Sequence, residues 1–238
     1  IEEANKRGKG HFKIKWTGGS ELGKPAAQAK GFKSGVYDLM YTAATYLQGS
    51  IPEVDALSAQ QIKPWDARKS GGMAVLNKAI SKRLKGIILS HTASSVQFQL
   101  YLGKKPTIGP DGVISLKGFK MRSVPIYDAF LQGLGATTMT VQVPEIYEAL
   151  QRGVVDGFAF PNLWTRKFKW NKFVTHTVHP SFYQIEACTF VSNKALAKLS
   201  PEGKRILLQV GEDWERESAK IWGPLVCLLY TSDAADEV

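Results

Sequence analysis

The sequence contains no apolar run long enough to cross a bilayer. Its first residues, Ile1-Glu2-Glu3-Ala4-Asn5-Lys6-Arg7, are too charged for a secretion signal, so neither a membrane span nor a signal peptide is legible. Cysteine is scarce, at 2 residues, and histidine nearly so, at 4. His11, His91, His176 and His179 form no H-E-x-x-H or comparable metal spacing, and His176 with His179 lacks a third ligand. No G-x-S-x-G elbow, P-loop or G-x-G-x-x-G follows a strand pattern. These absences remove the common signatures of metallohydrolases, serine hydrolases and nucleotide-dependent enzymes. The expectation is a protein that is not an enzyme and that holds no metal or cofactor.

What is present is the composition of an ordinary globular chain. Its 238 residues, with 44% hydrophobic and 22% charged side chains, can bury a core as one large domain or two small ones. The net charge of +10 admits a nucleic acid, a membrane surface or an anionic ligand as partner. Lysines and arginines are scattered from Lys6 to Lys220 at no helical period and beside no nucleic-acid motif, so most read as solvated surface. The string Cys227-Leu228-Leu229-Tyr230-Thr231-Ser232-Asp233-Ala234-Ala235-Asp236-Glu237 resembles a translated transposase sequencing adapter, and residues 226–238 are read as a non-native tail. Cys188 is then the only cysteine, so no intrachain disulfide can form, and its apolar strand context reads as burial.

Along the chain, His11–Trp16 alternates as a half-buried strand does, Pro25 opens a helix to about Ser34, Gly35 ends it, and Val36–Tyr41 reads as the next strand. A β-α-β unit in a parallel sheet is the economical reading. A helix is expected from about Trp65 to Lys85, a buried strand over Gly86–Ser90, and a strand from Val96 to Leu102. Gly109-Pro110-Asp111-Gly112 is a turn, and Tyr127 to Leu134 a helix. Pro144 starts a short helix with Ile146, Ala149 and Leu150 inward, and Val154–Phe160 follows as a strand. Trp164–Phe173 is an aromatic, basic helix or turn, Tyr183–Val191 one long strand, and helices follow over 193–199 and from Pro201 to about Trp222.

Two segments stand apart. Lys117-Gly118-Phe119-Lys120-Met121-Arg122-Ser123-Val124-Pro125 sets an arginine near the end of a short strand stopped by proline. Pro144-Glu145-Ile146-Tyr147-Glu148-Ala149-Leu150-Gln151-Arg152-Gly153-Val154-Val155-Asp156-Gly157 is an amphipathic helix running into a strand. Strand ends of open α/β sheets are where ligands bind, and a guanidinium matches a carboxylate with two hydrogen bonds. The pair resembles the solute-binding proteins of tripartite ATP-independent periplasmic (TRAP) transporters, the DctP type. Their pattern is a G-x-K-x-R-x-P strand and a P-x-E-x-Y-x-A-L-Q-x-G-x-V-D-G block, and nearly every element is present. The likeness runs to about Trp222.

The resemblance implies an α/β, two-lobed periplasmic-binding-protein-like fold of class II type with hinge-crossing strands, here truncated at both ends. Lobe I would comprise 1–92 plus 192–225, and lobe II 93–191. It implies a monomeric periplasmic protein that captures an organic acid between its lobes and delivers it to TRAP membrane permease subunits, with no nucleic acid as partner. The alternatives are an enzyme acting on a small anionic substrate in the same fold, or a nucleic-acid binder using the positive charge.

In that family the arginine of the first block clamps the substrate carboxylate, a role that falls to Arg122. Many members end the second block D-G-x-x-N-P, whereas this chain reads Asp156-Gly157-Phe158-Ala159-Phe160-Pro161-Asn162. Phe160 stands in the asparagine's place and Asn162 lies beyond the proline. A metal-bridged branch carries E-W there; Ala159 replaces that glutamate, so no bridging metal is expected, with Glu186 left as another acid able to face the cleft. An aromatic wall of Phe160, with Phe158 or Trp164, would then face the guanidinium, although Phe158 reads equally well as core. On the turns after two other strands, Thr42 and Tyr46 (with Tyr41), and His91 (with Ser90 and Thr92), could reach a polar ligand group. Turn or packing roles fit each of them as well.

Overall fold

The computed structural model describes residues 1–235, except for the side chains of Ser20 and of residues 227–235. Strands in chain order are β1 (Leu39–Ala43), β2 (Gly86–Thr92), β3 (Gln97–Leu102), β4 (Thr107–Ile108), β5 (Ile114–Ser115), β6 (Lys120–Ser123), β7 (Thr137–Thr140), β8 (Gly157–Pro161), β9 (His176–Gln184) and β10 (Ala187–Ser192). The helices are α1 (Glu2–Arg7), α2 (Pro25–Ser34), α3 (Asp55–Ala59), α4 (Pro64–Lys69), α5 (Gly72–Leu84), α6 (Pro125–Gly133), α7 (Ile146–Gln151), α8 (Asn193–Lys198) and α9 (Pro201–Ala235). The chain divides into two compact units, one of Ile1–Ser95 with Ile185–Trp222, the other of Val96–Gln184 with residues 223–235.

In the first unit the sheet order is β1-β10-β2, with β10 antiparallel to both neighbours. The parallel β-α-β pair anticipated at the N-terminus is therefore not what forms. His11 lies in a turn and residues 12–16 join no sheet among the described residues: the Asn5 side chain takes both backbone groups of Ile14, donating to its carbonyl at 2.8 Å and accepting from its N–H at 2.6 Å. Phe12 and Ile14 pack against Leu89, Val191, Leu196 and Leu207. The alternation thus reports a half-buried face, which an extended segment can present without a ladder partner. Helix α2 matches its expectation, opening on Pro25 and closing at Gly35 with φ of 81°. The single helix expected over 65–85 breaks into α4 and α5 at Gly71, whose φ is 85°.

Both faces of this sheet are covered. Phe32, Met40, Leu47, Ile80, Leu84, Ile88 and Phe190 form one core, with Cys188 among them. Each such fully buried large aliphatic or aromatic side chain contributes about 1.5–3 kcal/mol of transfer free energy. Burial pushes the Cys188 thiol well above its ordinary pKa, in keeping with an inert core cysteine.

The second unit is a mixed sheet of order β7-β6-β8-β3-β9, in which β6 runs parallel to β7 and β8 while β3 is antiparallel to β8 and β9. The Gly109–Gly112 turn closes the β4–β5 hairpin, with Asp111 Oδ1 accepting from Val113 N–H at 3.0 Å. The motif ending in Asp156-Gly157 has a clear mechanical reason. The Asp156 carboxylate accepts from the Lys120 N–H at 2.8 Å and meets the Lys104 ammonium at 3.1 Å. Burial works to raise the Asp156 pKa, yet these bonds and charges outweigh it and hold the carboxyl below its usual value. A Cβ at Gly157 would stand 2.5 Å from the Tyr101 carbonyl, so only glycine lets β8 close on β3. Asp156 and Gly157 therefore lock β6, β8 and β3 together.

The long strand expected over 183–191 is two strands. Strand β9 ends at Gln184 in the second unit, and β10 is the middle strand of the first unit's sheet. The last helix continues past Trp222 to Ala235 with Pro224 inside it. Of the segment read as a non-native tail, residues 236–238 lie outside the described residues.

Helix α9 is pinned to the first unit by one buried ion pair. Arg68 grips Glu215 through Nε at 2.9 Å and Nη2 at 3.0 Å and also donates to the Leu89 carbonyl at 2.9 Å, while Glu215 Oε2 accepts from the His91 N–H at 2.9 Å. Glu215 is fully buried, and removing one member of such a pair strands the other's charge. Glu215→Ala is expected to lower stability by about 3 kcal/mol in urea unfolding, against roughly 0.5 kcal/mol or less for an ordinary surface change.

Candidate ligand-binding site

Arg122 is third in β6 and only 4% exposed. Strand β6 is stopped by Val124-Pro125, and α6 begins at once, bringing Tyr127 in its first turn back over the strand. Parallel neighbours β7 and β8 carry backbone carbonyls past the arginine on both sides. The guanidinium is consequently held by uncharged acceptors. Its Nε donates to the Val141 carbonyl at 3.0 Å, and Nη1 donates to Tyr127 Oη at 2.6 Å and to the Ala159 carbonyl at 3.2 Å. Tyr127 Oη in turn donates to the same Ala159 carbonyl at 2.8 Å, which leaves its lone pairs for the arginine. The guanidinium carbon lies 5.7 Å over the Phe160 ring.

Three of the five N–H donors are thereby used, and the two on Nη2 have no hydrogen-bond partner among the described residues. No carboxylate pairs with Arg122 among those residues either. Carbonyls, a phenol and an aromatic face orient a cation without neutralising it, so a buried positive charge remains with the two diverging N–H groups of Nη2 unused.

The other residues singled out in this unit have different duties. Phe158 is fully buried, stacked on Tyr101 at 5.0 Å and edge-on to Trp170 at 5.4 Å, so it is core. Phe160 packs on Trp170 at 4.7 Å and is 9% exposed, placing it between that core and the guanidinium. Trp164 stands edge-on to Phe160 at 6.4 Å. Asn162 follows β8, its N–H bonded to the Gln97 carbonyl at 3.3 Å.

In the first unit, Thr42 is half-buried in β1 and Tyr46 is exposed in the turn after it. His91 is not available to a ligand. It is fully buried, with Nε2 bonded to the Ile185 carbonyl at 2.9 Å and Nδ1 to Gln60 Nε2 at 3.2 Å. Burial pushes its pKa down from 6.5 to about 4, the Ile185 carbonyl opposing and the Arg68 charge reinforcing the shift. Ser90 bonds Thr189, Thr92 bonds the Ala187 carbonyl, and Tyr41 reaches Thr92, so these hydroxyls tie the sheet together. Glu186 is 1% exposed; burial raises its pKa, and Oε1 accepts from the Thr45 N–H at 3.3 Å. No group of three or more potential metal-ligating side chains occurs among the described residues.

Tyr127, which holds Arg122 through its hydroxyl, is the neighbour that the sequence did not bring out. Its signal was Arg122-x4-Tyr127 with the proline between, a strand end folding straight into a helix.

Residues 1–223 match the family described as DctP, bacterial extracellular solute-binding protein, family 7. The chain belongs to the DctP family. A solute-binding protein of Verminephrobacter eiseniae is 26% identical over 229 residues, covering 92% of this chain and 65% of that protein. The C4-dicarboxylate-binding periplasmic protein DctP of Rhodobacter capsulatus is 31% identical over 98 residues, covering 40% of this chain and 28% of that one. This DctP-family chain thus spans 65% of the length of the first of these relatives. Its fold is that of solved TRAP periplasmic solute-binding proteins. One from Chromohalobacter salexigens, with bound D-glucuronate, superimposes with a TM-score of 0.80 at 19% identity, covering 100% of this chain and 79% of that one. One from Polaromonas, bound to D-erythronate, gives 0.76 at 21% identity, covering 99% and 78%. The resemblance carried by the Arg122 and Asp156 blocks is borne out for family and fold.

The depressed His91 pKa makes a pH prediction. The unfolded chain binds its proton near 6.5 and the folded chain only near 4, so this stabilisation is complete above about pH 6.5 and is lost as pH falls toward 4. Denaturation at pH 7 and pH 4.5 is expected to show the stability gap between the wild type and His91→Gln narrowing on acidification, by about 2–3 kcal/mol. A gap that does not change with pH would contradict a buried, neutral imidazole.

Proposed function

We propose that this chain is the ligand-binding part of a periplasmic solute-binding protein that captures an organic acid through its carboxylate and delivers it to a TRAP-type permease, working as a monomer and without chemical turnover. The observation that carries this reading is Arg122, a buried and positively charged side chain whose Nη2 has no partner among the described residues. A carboxylate would supply the missing counter-charge and an acceptor for the unused Nη2 donors. Family membership and the sugar acids named for two solved relatives support the same ligand class. Phe160 beneath the guanidinium supplies an apolar surface beside the head group, and the carbonyl at Ala159 is committed to Arg122 and Tyr127. Recognition at this point rests on charge and shape, with no metal bridge.

Each charge-assisted hydrogen bond contributes about 1.5–3 kcal/mol. Screening D-glucuronate, D-erythronate, succinate, pyruvate and benzoate by thermal shift and then calorimetry is expected to find a ligand whose affinity falls by about 100-fold or more in Arg122→Ala. Arg122→Lys, which keeps the charge and loses the planar guanidinium that Val141, Tyr127 and Ala159 hold in place, is expected to be weakened as well. Wild-type affinity in Arg122→Ala, or steady conversion of the bound acid to a product, would overturn the reading.

A further inference from the structure

The first unit holds a lysine-lined pocket that does not involve Arg122. This pocket of about 420 Å³ opens where α2 and α5 end and α8 begins, beside the start of β2 and the end of β10. It is lined by Lys33, Lys82, Lys85 and Lys194, and no aspartate or glutamate lines it. The walls are set by backbone. Gly35 closes α2 in the left-handed region, and a Cβ there would meet Lys194 Nζ at 3.7 Å. Lys85 closes α5 in the same region with φ of 57°, and its carbonyl accepts from the Asn193 N–H at 2.9 Å. Asn193 Nδ2 donates to Ser81 Oγ at 3.1 Å, joining the end of α5 to the start of α8.

Helix ends explain part of this cluster. Lys33 and Lys82 lie in the last turns of α2 and α5, where the carbonyl end of a helix attracts a cation. Lys194 is the opposite case, because it lies in the first turn of α8, where a helix end disfavours positive charge, and it shares a pocket with three other ammonium groups. None of the four forms an ion pair among the described residues, while Arg83, on the last turn of α5, pairs with Glu53. An uncompensated tetrad of this kind is relieved by a multivalent anion, and ammonium groups act on phosphate as movable point charges.

We propose that this pocket binds a phosphate-bearing polyanion, either free in solution or as the headgroup of an anionic phospholipid. Calorimetric titration of the chain with pyrophosphate at low ionic strength, and co-sedimentation with phosphatidylglycerol vesicles against phosphatidylcholine vesicles, separate the two sources. Expected is saturable pyrophosphate binding or selective retention on phosphatidylglycerol, in either case weakened at least about tenfold by Lys82→Gln with Lys194→Gln, reduced by added salt, and retained in Arg122→Ala. The four lysines are solvent-accessible side chains, so the double variant is expected to fold and keeps the test decisive. Three results would overturn the proposal: binding in neither arm, binding that survives the double substitution, or binding that disappears in Arg122→Ala.

Discussion

The guanidinium of Arg122 is buried among groups that can orient it but cannot neutralise it, and much of the second unit is arranged to make that possible. A buried cation costs several kcal/mol unless something charged or strongly polar faces it. Two backbone carbonyls and the Tyr127 phenol meet part of that cost through three donors. Each of these acceptors exists because of a separate structural fact. Parallel strands β7 and β8 on either side deliver the Val141 and Ala159 carbonyls, and Pro125 starts α6 early enough to return Tyr127. The Asp156 carboxylate and the missing side chain of Gly157 hold the strands at that spacing.

Arg68 in the first unit is a useful contrast. It is also partly enclosed by protein, yet Glu215 meets it with both carboxylate oxygens and a third bond goes to the Leu89 carbonyl. That arginine is electrostatically complete and serves to fasten α9 to the sheet. Its charge also disfavours protonation of the neighbouring His91, which burial already keeps neutral. Two enclosed arginines in one chain therefore have opposite characters, and the difference lies in whether an acid from a distant helix arrives opposite the guanidinium.

Much of the local structure was legible from the sequence. Pro25 and Gly35 bracket α2, the 109–112 turn forms where its glycines and Asp111 require it, and Cys188 is buried as its apolar strand suggested. Helix breaking at Gly71 and the division of the 183–191 segment were not read, because the apolar pattern runs on across a two-residue break. The His11–Trp16 alternation was read as a strand because period-two burial is the same whether the backbone bonds a neighbouring strand or the side chain of Asn5. The place of Arg122 near a strand end was legible from its block. His91 was placed on a ligand-facing loop because a strand end is exposed in the general case, and here Gln60 and the Ile185 carbonyl enclose it.

The sequence by itself determined the family, since it resides in short contiguous blocks whose turns, caps and close approaches are local physics. Tertiary structure alone decided sheet order, with β10 inserted between β1 and β2, and the electrostatic state of each buried charge. Whether an arginine is compensated depends on groups brought from far along the chain, Glu215 to Arg68 and Ala159 to Arg122, and Coulomb energy and desolvation are set by distance in space, which spacing in sequence does not encode.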